Sequence, residues 1–137
     1  MYHLDMTELP YSLTDAVLPG DGIGKTINVP TLNIDTSWID RSLAHGVYAG
    51  IVILPDGSEH LAAIHYGPRP ALHDETVRLE AHLLDVSLQA TPKEVTVMLV
   101  SFLREIHDFP NRKALAKAIE DDIAKTRAIM AKHAQKA

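Results

Sequence analysis

The sequence has no cysteine among its 137 residues, which excludes disulfides, zinc-thiolate sites and thiol nucleophiles. It also lacks a basic excess. Lys and Arg number 13 against 18 Asp and Glu, for a formal net charge of -5. Nucleic-acid-binding surfaces carry the opposite balance, and basic residues gather here only near the C-terminus. No apolar run approaches the length of a membrane span. The opening Met1-Tyr2-His3-Leu4-Asp5 has neither the basic nor the apolar part of a signal peptide. Repeats and low-complexity segments are missing too. The expectation is a cytoplasmic protein with no membrane or nucleic-acid partner. The residues that are present, 46% hydrophobic and 23% charged, are typical of a soluble globular chain. The length suits one domain, residues 1–137, large enough to bury roughly 68–70% of its unfolded surface without staples.

The pattern divides into a strand-rich body, to about Arg104, and a helical tail. The run Ile51-Val52-Ile53-Leu54, the turn signal Pro55-Asp56-Gly57 and the return Leu61 to Tyr66 predict a hairpin within Tyr48 to Tyr66. Over Val77 to Val86, Val77, Leu79, Ala81 and Leu83 alternate with Arg78, Glu80 and His82. Val95 to Val100 reads as a strand buried on both faces at its end, and Thr26 to Val29 as a short one. Several short strands separated by turns suggest a small antiparallel barrel or sandwich. From Asn111 to His133, Leu115, Ile119, Ile123 and Met130 form one stripe with Lys, Glu and Asp opposite, the pattern of an amphipathic helix. Asn111 is a plausible N-cap, and Lys125, Arg127, Lys132 and Lys136 suit the far end of the helix dipole.

The stretch Gly20-Asp21-Gly22-Ile23-Gly24-Lys25-Thr26 ends like a P-loop but is not one. Pro19 stands where that motif needs glycine, and β-branched residues and Pro30 follow where it needs a helix. A dinucleotide fingerprint fails as well, because Lys25 occupies its last glycine position. Alternate glycines can still turn successive N–H groups to one side as an anion nest, with Lys25 adding positive charge. A plain flexible turn is the simpler reading of the glycines alone.

Beyond Pro30, Thr31 and Asn33 lie at i and i+2 on one side of an extended segment. Their neutral hard oxygens suit Mg²⁺, which takes phosphates as its anionic partners. The competing reading is that both residues satisfy turn hydrogen bonds. Glu80 sits in the middle of a hydrophobic strand. Such a carboxylate usually lies on a solvated face; the functional alternative is a group at the barrel mouth that accepts a proton from an alcohol. His82 shares its face and could join the site or orient Glu80. The eight histidines are scattered. The best zinc-like set, His65, His73 and His82, mixes loop and strand, and most histidines read as ordinary polar positions.

Taken in order, these pieces resemble the riboflavin kinase family. Its pattern runs Gly-x-Gly-x-Gly-Arg/Lys-x-Leu-Gly-x-Pro-Thr-Ala-Asn, then Gly-Val/Ile-Tyr-x-Gly, Leu-Glu-x-His-Leu-Leu-Asp, Phe-Leu-Arg and a C-terminal helix. The matching stretches are Gly20 to Asn33, Gly46 to Gly50, Leu79 to Asp85 and Phe102-Leu103-Arg104, with Gly67-Pro68-Arg69-Pro70 similar to a further loop. The resemblance implies a mainly β fold, a six-stranded antiparallel Greek-key β-barrel over about residues 11–108 with a C-terminal α-helix over about 111–133. It implies ATP- and Mg²⁺-dependent phosphorylation of riboflavin at the 5′-hydroxyl to give FMN. Gly20, Gly22, Gly24, Lys25 and Thr31 would then bind ATP, Thr31 and Asn33 would hold Mg²⁺, Glu80 would be the catalytic base, and Arg104 would lie near the flavin. The length leaves no room for the FAD synthetase half carried by many bacterial relatives, so FMN rather than FAD is the expected product. The sequence departs from the pattern at Asn28, at Leu32, at Gln89-Ala90-Thr91-Pro92 and at Ile106, which replaces a common glutamate. These altered loops leave a second reading open: a non-catalytic flavin- or nucleotide-binding module on the same fold.

Overall fold

The computed structural model describes residues 8–19, 30–69 and 74–136. The glycine loop with Gly20, Gly22, Gly24 and Lys25, the strand expected over Thr26 to Val29, and His73 lie outside these residues. Six strands are found among the described residues: β1 (Tyr11–Leu18), β2 (Thr31–Ile34), β3 (Gly46–Ile53), β4 (Glu59–Arg69), β5 (Asp74–Leu83) and β6 (Glu94–Arg104). One helix follows them, α1 (Arg112–Lys136). None of the helices described is long and apolar enough to cross a membrane.

All strand pairs are antiparallel, and they close in the order β1-β2-β5-β4-β3-β6. β3, β4 and β5 are neighbours in sequence and in space, while β6 returns beside β3, which is a Greek key. Closure removes the exposed edges that an open sheet of this size would present. The expected hairpin is the β3–β4 pair. Its turn holds together because Gly57 adopts φ 88, Leu54 N–H donates to Ser58 O at 2.9 Å, and Asp56 Oδ1 accepts from both the N–H and the hydroxyl of Ser58. β3 and β6 approach so closely at a register shift that a Cβ on Gly50 would lie 2.0 Å from Met98 O.

Strand alternation fills the barrel. Leu13, Leu32, Ile34, Tyr48, Val52, Ile64, Leu79, Leu83, Val95, Val97 and Leu99 belong to one buried cluster. Each such side chain contributes about 1.5–3 kcal/mol relative to leaving it exposed. β6 corrects one expectation. Val95, Val97 and Leu99 are buried while Thr96, Met98 and Val100 are only half-buried, so the run alternates instead of being covered on both faces. A β-branched run looks doubly buried in sequence because β propensity and burial favour the same residues.

The helix starts where its cap predicts. Asn111 Oδ1 accepts from Ala114 N–H at 2.9 Å, satisfying one of the open donors of the first turn. Leu115, Ile119 and Met130 are buried and Ile123 is half-buried, as the stripe required. Asp122, however, does not face solvent with the other acidic residues. It and Thr126 lie on the buried stripe. α1 packs against the outer wall of β3 and β4 and, more lightly, of β6.

Candidate active site

The pairing of β2 with β5 sets Thr31 opposite His82 and Asn33 opposite Glu80. Leu32, Ile34, Leu79, Ala81 and Leu83 of the same strands fill the core. The pleat therefore turns Thr31, Asn33, Glu80 and His82 to the outer face. β4 extends the row, with His65 opposite Glu80. Directly opposed residues have Cβ atoms about 4.5–5.5 Å apart. A row of Asn33, Glu80 and His65 thus crosses three strands, with Thr31 and His82 one step along.

This patch is buried. Asn33 is 5% exposed, His82 2% and Glu80 0%, so the usual solvated-face reading of Glu80 fails. Glu80 also points out through the barrel wall and not into the barrel mouth, because its neighbours Leu79 and Ala81 are the inward pair. Alternation along a strand tells which residues share a face. It does not tell what covers that face.

Thr31 Oγ1 and His82 Nδ1 are 2.9 Å apart. His82 therefore engages Thr31, where the sequence allowed it to orient Glu80. The carboxamide of Asn33 is different. Both its oxygen and its nitrogen are buried with no hydrogen-bond partner among the described residues. An unsatisfied buried polar group costs about 1–3 kcal/mol. Turn hydrogen bonds do not account for Asn33, which lies in a strand. Its oxygen beside the Thr31 hydroxyl is a neutral, hard donor set, and these residues fit a small divalent cation.

Beside the patch, α1 and the segment after β6 border an open cleft. Val47, Ile106, Phe109, Leu115 and Ile119 give it an apolar lining, while His65, His82, His107, Arg104 and Asp122 contribute the polar groups. Mostly apolar walls with a few fixed polar groups are the usual make-up of a small-molecule site. His65 Nε2 lies 3.2 Å from Gly67 O and 3.1 Å from Pro68 O, so it donates to these carbonyls and its ring is held on the wall. Among the described residues, no three His, Cys, Asp or Glu side chains converge as metal ligands; His73, a member of the zinc-like set with His65 and His82, lies outside those residues.

Arg104 is committed to the scaffold. Its Nε and Nη2 donate to the two carboxylate oxygens of Asp122 at 2.8 and 2.7 Å, and its Nη1 donates to Glu105 O at 3.0 Å. The Phe109 ring lies 5.7 Å from the guanidinium carbon. This bidentate pair pins α1 to the end of β6 and builds one wall of the cleft. A second tie joins Arg127 of α1 to Asp85 just beyond β5, and the hydrogen bond from Arg127 holds the Asp85 carboxyl below its ordinary pKa.

The sequence reading missed Asp122, His107 and Phe109. Asp122 was accessible from spacing, since Leu115, Ile119, Asp122, Thr126 and Met130 step by three or four along one helix face. Leu32, the departure between the two candidate cation ligands, sits 3% exposed on the inner face and does not touch the site. Ile106, another departure, lies in the cleft wall.

A family model for riboflavin kinase (Flavokinase) matches residues 7–130. Among curated relatives, the bifunctional riboflavin kinase/FMN adenylyltransferase of Pseudomonas fluorescens is 31% identical over 128 residues, covering 93% of this chain and 40% of the relative. The protein of the same description from Escherichia coli strain K12 is 31% identical over 114 residues, covering 82% of this chain and 36% of the relative. The chain thus spans 36% to 40% of the length of these two relatives. A solved structure described as a macrolide-efflux protein from Streptococcus pneumoniae matches with a TM-score of 0.69 and 25% identity, over 86% of this chain and 38% of that one.

Proposed function

The chain belongs to the riboflavin kinase family, and from that premise we propose that it transfers the γ-phosphoryl group of ATP to the 5′-hydroxyl of riboflavin, giving FMN and ADP. The observation that carries the proposal is the pairing of Asn33, a buried carboxamide with no partner among the described residues, with the fully buried Glu80 directly across the strand, at the edge of an apolar cleft. One strand pair thereby offers a cation ligand and a proton acceptor as neighbours.

In this reading Thr31 and Asn33 hold Mg²⁺, which when bound neutralises charge on the phosphate oxygens of ATP. The family's use of a divalent cation supports a metal at this place, and hard neutral oxygens suit Mg²⁺. Gly20, Gly22, Gly24 and Lys25 are assigned to the ATP phosphates on sequence alone. Glu80 orients the riboflavin hydroxyl and accepts its proton as the new O–P bond forms. Val47, Ile106, Phe109 and Leu115 offer apolar surface to the flavin ring. Arg104, held by Asp122, would act on the flavin as a fixed part of the cleft wall. Phosphoryl transfer proceeds through a loose transition state, so positioning and charge neutralisation are the protein's main contributions. ATP as the donor puts the reaction in the cytoplasm.

Incubating the folded protein with riboflavin and MgATP and separating flavins by chromatography tests this directly. FMN should form, and Glu80→Gln should lower kcat by about 10²–10⁴ while riboflavin still quenches on binding. Flavin binding without FMN from the unmutated protein would overturn the kinase reading in favour of a non-catalytic flavin module.

A further inference from the structure

We infer that His82 is a positioning residue that turns the Thr31 hydroxyl toward the cation. This rests on the reading of Thr31 and Asn33 as cation ligands. A hydroxyl serves a cation only through its oxygen lone pairs, so its proton must be held elsewhere. An acceptor within reach among the described residues is His82 Nδ1, 2.9 Å from Thr31 Oγ1. With Nδ1 accepting, the proton of the neutral ring resides on Nε2, and the Thr31 lone pairs are left for the metal. The reverse arrangement, Nδ1–H donating, would occupy a lone pair and aim the hydroxyl proton at the site.

The fold enforces the geometry. Thr31 and His82 are direct partners in the β2–β5 ladder, and Leu83 N–H donates to Pro30 O at 2.9 Å beside them, fixing the register. His82 is 2% exposed and Thr31 half-buried, which limits competition from bulk water for the hydroxyl. The Glu-x-His spacing then acquires a second meaning. Residues two apart on one face of β5 supply the proton acceptor at Glu80 and, at His82, the group that aligns a ligand on the neighbouring strand. Groups that orient metal ligands in this way are typically worth 10- to 100-fold in metal affinity.

Calorimetric titration of ATP, with Mg²⁺ and with EDTA, reads the effect without relying on turnover. The unmutated protein should bind ATP more tightly with Mg²⁺. His82→Phe should lose about 10-fold or more of that gain, with the EDTA affinity unchanged. His82→Asn carries an oxygen two bonds from Cβ, as Nδ1 is, and should keep the gain. His82→Gln, with its oxygen one bond further out, should not. In a Thr31→Val background, His82→Phe should cost nothing more. The inference is overturned if His82→Phe retains the gain, or if Asn and Gln behave alike. The Asn–Gln comparison decides the matter should the Phe variant not fold. Absence of any Mg²⁺-dependent gain in the unmutated protein overturns the cation reading itself, a different result from a gain that ignores His82.

Discussion

Replacing Asp122 with alanine removes the carboxylate that anchors α1 to β6. The Asp122 side chain is 3% exposed and accepts two charge-assisted hydrogen bonds from Arg104, whose side chain is 17% exposed. Losing one partner of a buried pair costs about 3–5 kcal/mol, most of it from the charge left behind. Arg104 keeps its bond to Glu105 O and some contact with water, so the lower end, about 3 kcal/mol, applies. With an unfolding entropy of about 2.1 cal/mol/K per residue, a chain of this length should lose about 10 °C in Tm. Scanning calorimetry measures it. The double variant Arg104→Met with Asp122→Leu should recover most of the loss, because matched apolar groups leave no stranded charge. A shift below about 3 °C for Asp122→Ala, or a double variant as unstable as the single, would refute the idea that this pair holds the helix.

Asn33→Val should act in opposite directions on stability and function. It removes an unsatisfied buried carboxamide from a strand, so Tm should rise by the equivalent of about 1–3 kcal/mol, while the Mg²⁺-dependent gain in ATP affinity should vanish. Equal stability and an intact gain would show that Asn33 is neither strained nor a ligand. Asp85 titrates below its ordinary pKa in the folded protein because Arg127 hydrogen-bonds it. Its contribution is therefore present above the unfolded value of about 3.9 and is lost as pH falls through the lowered folded value. Melting curves for Asp85→Asn and the unmutated protein should differ above about pH 4 and converge in stronger acid. A difference that persists unchanged at low pH would assign the effect to something other than the ion pair.

Much of the fold is legible in the residues alone. The hairpin was fixed locally by Pro55-Asp56-Gly57, and the helix start by Asn111, because turns and caps depend on residues a few positions apart. The alternation over β5 correctly separated Leu79, Ala81 and Leu83 from Glu80 and His82. The misreadings share a cause. Glu80 is buried where a mid-strand carboxylate usually meets solvent, β6 alternates where its end reads as covered on both sides, and Asp122 lies on the buried stripe where the pattern puts Asp opposite it. Each error concerns what lies against a face, which is set by elements distant in sequence.

The sequence by itself determined the family, the β3–β4 hairpin, the alternation along β5, the C-terminal helix, and which residue types could carry the chemistry, since periodicity and motif spacing are local properties of the chain. Tertiary structure decided how those residues combine. Closing the barrel brought Thr31 to His82 and Asn33 to Glu80 across a gap of about fifty residues. The β2–β5 register buried Asn33, Glu80 and His82 beside a half-buried Thr31, and the Arg104–Asp122 pair fixed the helix that walls the cleft. It also put Leu32 on the other side of the wall, in the core, where a larger side chain between two ligands does the site no harm. Register and burial arise only when strands meet, so no single segment could have declared them.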